Sequence, residues 1–161
     1  MKFSNLDSLI KRCEDHLDGT NTRSTEIENC LVQYLLVRIW AEYEQRVSAL
    51  VHRRCSRIAD LHVKTFSQKH AKLKRFTIHD IGETLAKFGD DYKQMFHAGA
   101  MIGLAHVAWD NMYTNRQAVA HSTPIPMTFP ELKKSYTDSL VVLDHLVSAL
   151  TLSPTEIHDF K

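Results

Sequence analysis

The chain has 161 residues, enough for one domain that buries about two-thirds of its unfolded surface around a single core. Apolar residues make up 43% and charged residues 24%, and the net charge is +1, which excludes a disordered chain and a general polyanion binder. No apolar run is long enough to cross a bilayer, no apolar signal core follows Met1, and Cys13, Cys30 and Cys55 are scattered; these features lead us to expect a cytoplasmic protein with reduced thiols and no membrane partner.

Few glycines and prolines punctuate the chain, no run alternates in the manner of a strand, and the expected fold is all-α: a single-domain bundle over residues 1–161. A first helix is predicted from about Asn5 to Leu17, with Leu6, Leu9, Ile10, Cys13 and Leu17 on one face and Asp18-Gly19-Thr20-Asn21 as its stop. A long second helix is predicted to begin after Ser24 or Thr25 and run to about Arg57. Ile27, Leu31, Leu35, Ile39 and Tyr43 step by four, and Cys30, Tyr34, Val37, Ala41, Glu44 and Ser48 lie alongside. Two apolar stripes on one helix imply a central element. Glu44 in the second stripe must find a partner or stay wet.

Residues from about 62 to 76 are expected to be a basic connector. Together with the preceding turn they carry Arg53, Arg54, Arg57, Lys72 and Lys74, a stretch able to track a phosphate backbone or simply to be a solvated helix end and loop. Thr77 is predicted to cap a helix over Ile78–Phe88 that ends at Gly89. One further helix should run from Asp90 or Gly99 to Val119, with Leu104, Val107, Ala108, Trp109 and Met112 inward. After the Pro124, Pro126 and Pro130 loop, a last helix to about Leu152 places Leu132, Tyr136, Leu140, Leu143, Val147 and Leu150 on one face.

The ten histidines form no ligand-spaced cluster, no glycine-rich loop cradles a phosphate, and no nucleophile motif is present, so neither a metal nor a cofactor is expected. Arg116 and His121 stand out instead, at the foot of a predicted helix before a Ser-Thr-Pro break. RNA carries its own nucleophile, the 2′-OH. Cleavage requires a proton to be taken from that hydroxyl, another to be given to the leaving 5′-oxygen, and a charged phosphorane to be stabilised. Histidine suits the proton transfers and arginine the charge. The products would be a 2′,3′-cyclic phosphate and a 5′-OH. One histidine per chain serves acid and base together only if a twofold homodimer brings a second copy to the same cleft. The spacing itself is not specific, since Arg57 and His62 share it. A surface charge or salt bridge at Arg116, and a helix-end cap at His121, are the plainer readings.

The segment Asn115-Arg116-Gln117-Ala118-Val119-Ala120-His121 resembles the R-N-x-x-A-H signature of the HEPN superfamily. The wider order of segments, with Tyr43-Glu44 on the long second helix, is similar to its RiboL-PSP-type branch. The resemblance runs from about Thr25 to Leu152, and only the motif is specific. It implies a helical bundle that dimerises along the motif-bearing helix, with Arg116 and His121 catalytic in a composite cleft, Asn115 and Gln117 orienting phosphate or imidazole, and Glu44 supporting the site. Gln117 stands where the family often has Asn, and Ser122 where it often has Gly. The resemblance further implies a metal-independent endoribonuclease acting on RNA, of the kind used as a toxin or in defence, with an antitoxin or inhibitory partner to restrain it. The alternative is a catalytically inactive module of the same shape that binds a protein or RNA partner.

Overall fold

The computed structural model describes residues 3–150. Among them lie seven helices and no strand: α1 (Ser4–Thr20), α2 (Glu26–Ser56), α3 (Leu61–His70), α4 (Ile78–Ala86), α5 (Asp90–Ala100), α6 (Ala105–Ala120) and α7 (Phe129–Ala149). The fold is an all-α bundle, and no helix among the described residues is long and apolar enough to cross a membrane. Leu152 lies outside the described residues.

Local chemistry explains most boundaries. Asn21, in the left-handed conformation, ends α1, and the Thr25 hydroxyl accepts from Ile27 N to start α2. Thr77 accepts from Asp80 N at the head of α4, and Thr128 with Glu131 forms a capping box for α7. The basic stretch departs from expectation, because residues 61–70 are helical. Asp60 accepts from His62 N and Val63 N, a cap that lets a run without Gly or Pro wind up, and the resulting helix buries none of its residues. The helix expected to follow Gly89 is two. The chain breaks at 101–104, where Gly103 takes φ +63°, and this turns Leu104 and Val107 outward (63% and 41% exposed) while Ala108, Trp109 and Met112 stay buried.

A main core runs through the bundle, with a smaller cluster of Val51, Cys55 and Ala71 beside it. Its centre is aromatic: Tyr43 stacks on Trp109 at 5.0 Å, and Trp40 meets Trp109 edge-on at 5.2 Å and Tyr113 at 5.4 Å. The Tyr43 hydroxyl is satisfied by Ser139 Oγ at 2.8 Å and donates to Tyr136 O at 3.2 Å, which ties α2 to α7. The buried face of α2 comprises Val32, Leu35, Leu36, Ile39, Trp40, Tyr43, Val47 and Leu50. Only part of the expected stripe is buried, and Ile27 is 46% exposed. A helix with two apolar stripes does not reveal from spacing alone which one its own chain covers.

Close packing of α5 on α7 depends on Gly99. A Cβ there would stand 2.0 Å from His145 Nδ1 and 2.4 Å from its Cγ. Overpacking costs about 1–3 kcal/mol, against about 1 kcal/mol gained in helix propensity. Gly99→Ala should therefore lower the melting temperature by several degrees, and adding His145→Ala should restore part of the loss. A chemical-denaturation double-mutant cycle checks this, and additive effects would show that the two residues do not meet.

Candidate functional site

The end of α6 is built by a Schellman turn. Thr123 N donates to Ala118 O at 2.8 Å and Ser122 N to Val119 O at 3.0 Å, with Ser122 left-handed at φ +55°. Serine stands where glycine is usual, and the proline that follows Thr123 prevents the helix from continuing. His121 is the last residue of this end, and its backbone N–H bonds Gln117 O and Ala118 O. Its imidazole is exposed and makes no hydrogen bond among the described residues, so the terminal carbonyls are capped by backbone and not by the histidine ring.

Arg116 is half-buried and forms neither a hydrogen bond nor an ion pair among the described residues. By helical register it lies within roughly 20° of Trp109, on the face that α6 turns to the core, while His121 is displaced from Arg116 by roughly 140°. The near-helical backbone of His121 (φ −101°, ψ 15°) does little to close that angle. Within one chain the two side chains start from different sides of the helix end.

Asn115 Nδ2 donates back to Asn111 O at 2.8 Å, so this amide is held on its own helix. It lines a hollow of about 340 Å³ between α6 and α7, together with Asn111, Met127, Glu131 and Lys134. Sequence spacing carried no sign of these neighbours, because only the packing of α6 on α7 brings them to Asn115. Gln117 is half-buried. Glu44 finds its partner in Trp40, whose Nε1 donates to Glu44 Oε1 at 2.8 Å. The carboxylate therefore fixes the indole that packs on Trp109 and Tyr113, and it bears on α6 only through that ring.

The basic residues sit elsewhere. Successive contacts of Trp109 with Tyr43 and of Tyr113 with Trp40 show that α6 runs antiparallel to α2. The last turn of α6 is thus beside residues 33–37 of α2, about 30 Å along the helix from Arg53, Arg54 and Arg57. The Arg54 guanidinium bonds the Tyr92 hydroxyl and lies 5.2 Å from the ring centroid, so it holds α5 to α2. Arg57, Lys72 and Lys74 are exposed, and Lys72 lines an apolar cleft of about 570 Å³ with His52, Cys55 and Leu73.

No group of three or more His, Cys, Asp or Glu able to hold a metal occurs among the described residues. His97, whose Nε2 is buried without a hydrogen bond, lies over Gly82, where a Cβ would be 2.2 Å from that nitrogen. Burial, with Lys93 and His79 nearby, pushes its pKa down and favours the neutral ring. Comparison with protein-family models, curated proteins and solved structures gives no match to this chain. The functional reading therefore stands on the residues themselves.

Proposed function

We propose that the protein is a metal-independent endoribonuclease of HEPN type, in which Arg116 and His121 act on RNA in a homodimer. One observation carries this reading: a guanidinium and an imidazole, both without a partner among the described residues, occur together at the open end of one helix. An arginine serving as a salt-bridge partner, or a histidine serving as a cap, would be engaged. In the reaction, one imidazole takes the 2′-OH proton as the 2′-oxygen attacks phosphorus, and a protonated imidazole from the partner gives its proton to the departing 5′-oxygen. Arg116 pairs with the non-bridging oxygens as negative charge grows on them. The divergence of Arg116 and His121 on α6 favours a cleft completed by a second chain. Use as a toxin or in defence, with a restraining partner, belongs to this proposal.

The test is cleavage of single-stranded and hairpin RNAs by the purified protein in EDTA, with end analysis of the products. Metal-free cutting that leaves cyclic phosphate and 5′-OH ends is expected. Ends bearing 5′-phosphate would sink the proposed chemistry.

RNA is held in this scheme by Arg57, Lys72 and Lys74, away from the cleavage point. Replacing the three with alanine should weaken binding and reduce the slope of log K against log salt by about 1 for each lost phosphate contact. An unchanged salt slope would remove these residues from the RNA path. The competing reading, an inactive helical module that binds a partner, is favoured by one feature: apolar side chains remain exposed on α2, on α3 and in the α5–α6 turn.

A further inference from the structure

The cleft of about 570 Å³ that Lys72 borders lies between α2 and the end of α3. Ligand sites usually measure about 300–1,000 Å³. The cleft exists because α3 covers α2 poorly. The half-buried residues of α3 are Lys64, Ser67 and Gln68, while Val63 and Phe66 are 50% and 62% exposed. By helical register those two lie roughly 140–160° from Gln68, so they do not fill the gap. Val51 and Cys55 of α2 form the floor, and Ala71 and Leu73, just past α3, form the far wall. That wall is anchored to α4, because Lys87 Nζ donates to His70 O at 2.9 Å. Cys55 is fully buried, and burial pushes its thiol pKa up, so the floor is uncharged as well as apolar.

Polar groups border this floor from both sides: Ser48 and His52 on α2, Gln68 and Lys72 opposite. None of these four side chains makes a hydrogen bond or an ion pair among the described residues. Hydroxyl, imidazole and amide can each donate and accept, whereas the Lys72 ammonium only donates and carries charge. An aliphatic carboxylate offers acceptors at one end alone and would use little of that set. A nucleobase has two apolar faces, an edge with both donors and acceptors, and a phosphate attached through its sugar.

We propose that this cleft seats one unstacked base of a single-stranded RNA. Its faces lie against Val51, Cys55 and Leu73, its edge is read by Ser48, His52 and Gln68, and its phosphate is held by Lys72. Lys74, exposed two residues on, continues the cationic track. A duplex cannot enter, because its bases are stacked and their edges paired. The inference rests on the reading that the chain binds RNA, and it adds a base-selective anchor roughly 25 Å along α2 from the end of α6. It does not rest on cleavage, since a base can be held whether or not Arg116 and His121 cut.

The experiment is fluorescence anisotropy with labelled 2′-O-methyl RNA decamers of A, C and U, beside an abasic decamer and a hairpin of the same chemistry. The 2′-O-methyl group removes the nucleophile, so binding is read apart from cutting and either idea can fail alone. At least one base decamer should bind about tenfold or more tighter than the abasic one, and the hairpin should show no such gain. Ser48→Trp, at an exposed position, fills the cleft without removing a charge and should bring the base decamers down to abasic affinity. His52→Ala with Gln68→Ala should shrink the preference several-fold, which keeps the test open if the tryptophan lowers the melting temperature. Equal affinity for base and abasic decamers, or no RNA binding at all, would overturn the assignment. So would a base preference that survives Ser48→Trp; if that variant instead loses binding of decanoate, the cleft takes an acyl anion.

Discussion

His121→Ala is expected to lower RNA cleavage by about 10²–10⁴-fold, the usual contribution of a positioned acid or base. Stability should change by no more than about 0.5 kcal/mol, because the imidazole is exposed and makes no hydrogen bond among the described residues. Arg116→Ala should cost about 10²–10³-fold, comparable to the loss of one donor aimed at developing charge. Arg116→Lys should recover only part of that, since an ammonium keeps the charge and loses the planar fork. A mixing experiment probes the composite cleft. If one cleft needs a histidine from each chain, diluting wild type with an equal amount of His121→Ala and allowing exchange should leave about a quarter of the activity, because only wild-type pairs are competent. A fall to half would mean that each chain cuts alone. Cleavage by His121→Ala at the wild-type rate would end the nuclease reading at this residue and favour the binding module.

The punctuation of the fold was legible where a residue has a single local role. Thr25 and Thr77 cap α2 and α4 where the sequence places them, and α7 starts one residue before Pro130, while α1 runs three residues past Leu17 before Asn21 stops it. What spacing missed depends on tertiary partners or on weak breakers. A glycine in mid-pattern at 103 costs a helix about 1 kcal/mol and does not announce a break, yet it separates α5 from α6 and turns Leu104 out. The basic stretch contains good helix formers as well as charges, and the Asp60 cap settles it as helix over 61–70. On α2 the sequence shows two apolar stripes correctly but ranks them poorly, because the chain itself covers only one. For the candidate site, the motif names Arg116 and His121, and the turn that frees them is foreshadowed by Ser122-Thr123-Pro124. The distance between that turn and Arg53–Arg57 is a matter of helix direction, which no linear pattern contains.

Glu28→Ala should cost about 3 kcal/mol and lower the melting temperature by roughly 6–12 °C. Glu28 is 7% exposed and sits on the core side of α2, one turn before Val32. Its Oε2 accepts from Ser24 N at 2.6 Å and its Oε1 from Phe129 N at 2.8 Å. The first bond holds a non-glycine residue at φ +59°, a conformation that is unfavourable without support. The second satisfies the N–H of Phe129, itself 1% exposed, at the head of α7. Truncation leaves both donors unpaired. Glu28→Gln keeps the shape but not the charge, and should lose less. Acid should mimic the loss. The two backbone donors, Ser24 first and Phe129 second, hold the carboxyl pKa below its ordinary value. Folding is therefore favoured by ionised Glu28 at any pH above the unfolded value of about 4.3. That share is lost as pH falls below it toward the lowered native pKa. In Glu28→Ala the slope of stability with pH in that window should flatten. Amide exchange at Ser24 and Phe129 should quicken at neutral pH, and protection equal to wild type would show that neither amide relies on the carboxylate.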